Sequence, residues 1–255
     1  MIQKARSKMM TIMKKKNRGF TLIELMVVIA ISSIVAAAIY SFSDYYQKTY
    51  IIQEGIVAME QGLRASIYYM EDEIRMAGYD PDRQPGGNSD AEIREALNNK
   101  IVFIYAVDKD GEDNDGDGFI DESDELLEGI KYELYTDEDG IQKLGRATMK
   151  TFHKKDDPDP LEFNSPQPVA EHVSALDFVY LDGNGNITGN LNDIRSVQIT
   201  IVARAARGYS NYINNTEYYN QQEETPPIFT APGDHFRRRV LRTQVKCRNL
   251  GLNVD

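Results

Sequence analysis

Residues 19–40 read GFTLIELMVVIAISSIVAAAIY, and this stretch decides the architecture of the chain. From Phe20 onward it is apolar for about 20 residues, long enough to cross a hydrocarbon layer as a helix. Its one charge is Glu24, close to the start. A bare carboxylate at the centre of a membrane helix costs about 2.5–3.5 kcal/mol by insertion scales, and less near an end. Something must offset that charge, which makes Glu24 a candidate functional residue.

The flank before the span is basic: Lys4, Arg6, Lys8, Lys14, Lys15, Lys16 and Arg18 fall within residues 1–18 with no acid among them. A secretory signal has an apolar region of roughly 7–15 residues followed by a small-residue cleavage site. Here the apolar run is longer, and the small residue, Gly19, precedes it. Basic residues before the span and an acidic body after it predict a single-pass topology, with the N-terminus cytoplasmic and the body outside. An ordinary signal anchor would account for that topology, but not for Gly19, Phe20 and Glu24 together.

Those residues resemble the processing motif of type IV pilins and type II secretion pseudopilins: a basic leader, then Gly19, Phe20 and Thr21-Leu22-Ile23-Glu24-Leu25. The resemblance implies that a prepilin peptidase cuts after Gly19 on the cytoplasmic side of the inner membrane. It then methylates the new terminus, making Phe20 an N-methylphenylalanine. The resemblance also implies that Glu24 compensates the terminal ammonium of a neighbouring subunit during assembly. Physical chemistry agrees, since an ammonium and a carboxylate inside an apolar filament core are each tolerable only when paired.

Beyond the span, Ile52, Ile56, Met59, Leu63, Ile67, Met70 and Ile74 recur at spacings of three and four, one stripe of an amphipathic helix. Gly78 is a suitable helix stop, with Pro81 shortly beyond it. The division expected is a cleaved leader at 1–19, a membrane or filament-core helix at 20–42, an amphipathic continuation at 43–78 and a β-rich globular domain at 79–255. Strand-like runs lie at 100–107, 129–135, 143–151, 173–181, 194–204 and 237–248, separated by Asp/Gly/Asn turns. The fold class expected is α+β, a long helix laid across an antiparallel sheet. Residues 80–90 and 208–234 lack periodicity and read as loops, the second offering Tyr209, Tyr212, Tyr218 and Tyr219 for contact or packing.

Two further stretches resemble PilW-like minor pilins: Glu73-Ile74-Arg75-Met76-Ala77-Gly78-Tyr79-Asp80-Pro81 at the end of the long helix, and the final strand with its tail at 237–250. The resemblance implies a structural subunit of a type IV pilus, in its priming or tip complex. Its implied partners are other minor and major pilins, the prepilin peptidase, an inner-membrane assembly platform and, before assembly, membrane lipid. A minor pseudopilin of type II secretion and a pilin-mounted module for adhesion or DNA uptake are the alternatives.

Composition narrows these partners. The chain carries 40 acidic residues against 29 basic, a net charge of −11, and part of the base lies in the leader. Nucleic acid is therefore not the main partner of so acidic a body. Cys247 stands alone, which excludes a disulfide framework and fits a buried small side chain in a strand. His153, His172 and His235 form no metal or catalytic motif, and no P-loop or nucleophile elbow is present, so an enzyme is not expected. Tyr40, Tyr45, Tyr46, Tyr50, Tyr68 and Tyr69 read as packed helix aromatics, and Arg237-Arg238-Arg239 as a solvated strand end.

One stretch has metal-ligand spacing. Residues 113–124 place Asp113, Asp115, Asp117, Asp121 and Asp124 at positions one, three, five, nine and twelve of an EF-hand-type loop, with Gly118 at six and the backbone carbonyl of Phe119 at seven. Asp124 is shorter than the usual glutamate, and the flanks are strand-like, so a helix-pair sensor is excluded. Two readings stand: a structural Ca2+ staple, or a solvated acidic loop. For the staple, millimolar calcium should raise the thermal midpoint of the chain relative to chelator, with a dissociation constant of about 0.1–1 mM. An unchanged midpoint refutes it.

Overall fold

A computed structural model describes residues 19–80, 91–106, 127–150, 161–223 and 225–251. The chain divides into two compact units, one ending at Ile51 and the other beginning at Ile52. A single helix, α1 (Leu22–Met76), supplies most of the first unit and the opening of the second. In the first unit it is long and apolar enough to span a membrane. The large apolar side chains from Phe20 to Ile39 there are 51–88% exposed.

The second unit is antiparallel β structure packed on the later turns of α1. Its strands are β1 (Ile93–Leu97), β2 (Lys100–Ala106), β3 (Leu127–Thr136), β4 (Gln142–Thr148), β5 (Gln167–Glu171), β6 (Val173–Leu181), β7 (Ser196–Arg204), β8 (Glu217–Tyr218), β9 (Phe229–Thr230) and β10 (Arg238–Lys246). The first five pair in chain order as one sheet, β10-β7-β6 form a second, and β8 and β9 make a short ladder. The architecture is α+β, as expected, with the β residues divided between two larger sheets.

Both larger sheets close on the predicted helical stripe. Leu63, Ile67, Met70 and Ile74 are buried, with Ile52, Ile56 and Met59 half-buried above them. They join a core with Ile101, Phe103, Ile130, Tyr132 and Leu144 from the first sheet and Phe178, Ile199, Ile201 and Val245 from the second. Cys247 lies in the same core, and burial pushes its thiol up to about 12, which makes it an inert apolar filler.

Two strands escaped the sequence reading, for a shared reason. β1 (IREAL) carries two adjacent charged residues and β5 (QPVAE) a proline, both poor strand signals. They occupy the two edges of the five-stranded sheet, where proline is tolerated because one side of the backbone needs no partner. The loop reading of 208–234 also needs correction. This segment contains β8 and β9 and covers the outer face of the second sheet, where Tyr218 and Ala231 pack with Ala175 and Val202. Its buried amides are satisfied: Asn214 Nδ2 donates to Phe236 O at 3.1 Å, and Asn220 Nδ2 to Asp177 Oδ2 at 3.1 Å.

The end of α1 is built from both termini of the second unit. Gly78 has φ +78°, the left-handed conformation that glycine adopts without a Cβ penalty. The Nδ2 of Asn249 donates to the carbonyls of Arg75 at 3.2 Å and Met76 at 3.4 Å, groups without an intrahelical partner, the second shared with the Tyr79 N–H. The Leu250 side chain fills the space a Cβ on Gly78 would take, its Cδ2 lying inside contact distance of that position. Gly78→Ala should therefore cost about 2–4 kcal/mol in denaturant unfolding. Part of that loss should return in the double variant with Leu250→Ala, which removes the clash but not the φ strain.

Candidate functional site

In the first unit, Glu24 is held by its own helix start. Thr21 precedes the first residue of α1, and its carbonyl accepts the first helical bond, from the Leu25 N–H at 3.1 Å. The Glu24 Oε2 accepts from the Thr21 N–H and from the Thr21 hydroxyl, both at 2.8 Å. The Glu24 N–H donates back to the Thr21 Oγ1 at 3.3 Å. This is a capping box: two residues three apart satisfy each other's unpaired helix-start groups, and the carboxylate sits at the positive end of the helix dipole. The Thr-x-x-Glu spacing was the available signal for Thr21, and the sequence reading used Glu24 alone.

Gly19 and Phe20 lie before the helix, and Phe20 is 88% exposed. The Gly19-Phe20 dipeptide is thus accessible and is followed at once by a capped helix. The aromatics on α1 are where the reading fails: Tyr40, Tyr45, Tyr46, Tyr50 and Tyr68 are exposed, with Phe42 and Tyr46 stacked one turn apart at 6.4 Å. Among the described residues Tyr40, Tyr45, Tyr46 and Tyr50 have no second layer to pack against, whereas Tyr68 lies off the buried stripe of a helix that does carry one. The candidate calcium ligands Asp113, Asp115, Asp117, Phe119, Asp121 and Asp124 lie outside the described residues, as do the leader and His153. Among the described residues no group of three or more His, Cys, Asp or Glu side chains could hold a metal.

In the second unit, a polar cluster ties α1 to the five-stranded sheet. The Glu73 carboxylate on the helix takes both Arg146 Nε, at 2.9 and 3.0 Å, and Arg146 Nη2, at 2.8 Å, from β4. The Tyr132 hydroxyl of β3 donates to the same carboxylate at 2.5 Å. Burial first, and the Glu73 charge second, push that phenol well above its ordinary range, so it stays a donor. Tyr105 donates to Glu128, which approaches Arg146 at 3.5 Å.

A second cluster corrects the expectation for 237–239. Arg238 is buried, held bidentate by Asp234 at 2.5 and 2.6 Å, with Nε donating to Ser174. The Arg238 guanidinium holds the Asp234 carboxyl below the usual carboxylate range. Arg237 stacks on Tyr212 at 4.4 Å, and Arg239 pairs with Glu60 of α1 at 2.9 Å. Three adjacent arginines thus take three separate structural partners, Arg238 pointing away from its two neighbours because alternate strand residues face opposite ways.

An accessible Gly-Phe dipeptide, a capped apolar helix and a body of antiparallel sheets define a membrane-anchored pilin-type subunit, and the comparisons agree. A prokaryotic N-terminal methylation motif matches residues 14–40. The chain belongs to the type IV pilus-assembly protein W family, whose model matches residues 112–249, more than half of its length. A solved type IV-like pilin from Thermus thermophilus is similar at 15% identity, over 75% of this chain and 97% of that one, with a TM-score of 0.46. No curated protein matches at a significant level. Pilins are structural subunits, and they act by assembling with one another.

The Glu73 cluster yields a stability test. Glu73→Gln leaves half-buried Arg146 with only the more distant Glu128 as an anion and should cost about 1–3 kcal/mol. Tyr132→Phe should cost less, and the double variant should fall short of the sum because both changes break one network. Additive losses in denaturant unfolding would show that the two contacts are independent.

Proposed function

We propose that this chain is a minor pilin of the priming or tip complex of a type IV pilus. On this reading it enters the inner membrane in a single pass with the leader in the cytoplasm, is cleaved after Gly19 and is methylated on Phe20. It is then drawn by the assembly platform into a filament among other pilins. The observation that carries the reading is the apolar, fully accessible first unit of α1, headed by the methylation motif and bearing one carboxylate. Such a surface is stable in lipid before assembly and against neighbouring helices afterwards.

The capping box adds a physical step. In lipid, the Glu24 carboxyl is not bare, because two Thr21 donors and the helix start surround it. Cleavage places a terminal ammonium on Phe20 of each subunit. In a filament core, an incoming ammonium of a neighbour replaces part of that local hydrogen bonding, since an ion pair in a dry environment outweighs neutral donors.

The test separates the two roles of the carboxylate. Glu24→Ala should leave cleavage and methylation intact, as read by mass spectrometry of the terminal peptide, and should sharply reduce the chain in sheared filaments. Thr21→Ala, which loosens the cap but keeps the charge, should remain incorporated. Equal incorporation of Glu24→Ala and wild type would refute the pairing, and equal loss from both variants would reduce Glu24 to a helix cap.

A further inference from the structure

The two larger sheets present four edges among the described residues, and three are blunted. β1 carries a bulge between Ile93 and Glu95, and the 3-10 turn Leu191–Asp193 lies against it. β5 has five residues, a proline and a register shift against β4. β6 is bulged between Val173 and Ala175, and its Phe178 N–H is taken by the carbonyl of Asn98 at 2.7 Å. These are the usual devices that stop a sheet edge from recruiting another strand.

β10 has none of them. It pairs with β7 over nine consecutive residues in one unbroken register, without proline or bulge. The bonds at its two ends fix which groups point inward: Ala205 N–H donates to Arg237 O, and Cys247 N–H to Arg195 O. Odd-numbered residues of β10 therefore bond to β7, and the N–H and C=O of Arg238, Val240, Arg242, Gln244 and Lys246 point outward. None of these outward backbone groups has a hydrogen-bond partner among the described residues. Side chains also hold the strand extended: Arg239 is tied to Glu60, Arg242 to the carbonyl of Tyr219, and Thr243 to Glu71.

The geometry points to β10 as an acceptor edge for an extended, acidic strand of a neighbouring pilin of a different kind. The strand bears Arg238, Arg239, Arg242 and Lys246 and no acid, and Arg239, Arg242 and Lys246 are exposed. A second copy of this chain does not fit. In the antiparallel register that uses the whole edge, Arg242 faces Arg242 and Arg238 faces Lys246, and like charges directly opposite are unfavourable. An acidic strand supplies both the backbone partners and the charge, the mode of recognition known as strand addition.

This inference rests on the reading of the chain as a pilus subunit, and its test separates the two. Full-length Gln244→Pro removes one outward N–H without touching the ladder to β7, whereas Gln244→Ala loses the same side chain and keeps the N–H. Both are expressed in place of the wild type, then measured in sheared filaments and, in detergent, for thermal midpoint. Gln244→Ala should be incorporated normally, while Gln244→Pro should fall about tenfold or more at an unchanged midpoint. Equal incorporation of the two overturns the proposal. If Gln244→Pro also melts earlier, Arg242→Glu decides: it keeps the backbone, should fall comparably by repelling an acidic strand, and at wild-type level overturns the proposal. Absence of the wild type itself from filaments would overturn both the proposal and the pilus reading.

Discussion

The folded unit depends on a single stripe of α1. Leu63, Ile67, Met70 and Ile74 stand one above another, and both sheets meet on them. Each such side chain contributes about 1.5–3 kcal/mol when taken out of water, and residues of both sheets share one core with them. The stripe also sets where polarity is allowed. Glu73 lies beside Ile74 at its border, so its carboxylate can reach β3 and β4 and fix the helix against slipping along the sheet. Apolar burial supplies the stability, and the Glu73, Arg146 and Tyr132 cluster supplies the register.

The first unit follows the opposite rule. Among the described residues its apolar side chains find nothing to pack on, and the carboxylate of Glu24 is satisfied locally by Thr21. A segment that is self-sufficient in hydrogen bonding and deficient in packing is suited to exchange one apolar surrounding for another. On the assembly route proposed above, the Thr21 and Glu24 pair makes that exchange gradual, because its local donors keep the acid from being bare.

Much of this was legible in the chain, for identifiable reasons. The helix could be read because its stripe has a clean period and because Gly78 sits where a left-handed residue is required. The interior strands could be read because Val, Ile, Phe and Tyr alternate or run together in them. β1 and β5 could not, since an edge strand is shaped by what it must avoid, and charge and proline there look like loop. Arg238 was misread for a related reason: its burial depends on Asp234 and Ser174, which only the folded register of β10 against β7 and β6 brings beside it. The loop over 208–234 is polar in composition yet ordered, because Asn214 and Asn220 serve as internal struts, which no period can announce.

The closure of α1 by Asn249 and Leu250 bears on the order in which the protein can be made. The last turn of the helix is completed by residues more than 170 positions later, nearly the last of the described chain. A chain still emerging from the ribosome, or still crossing the membrane, has an open helix end and an uncovered Gly78. The body can therefore reach its final stability only after these late residues have been made and have docked on the helix end.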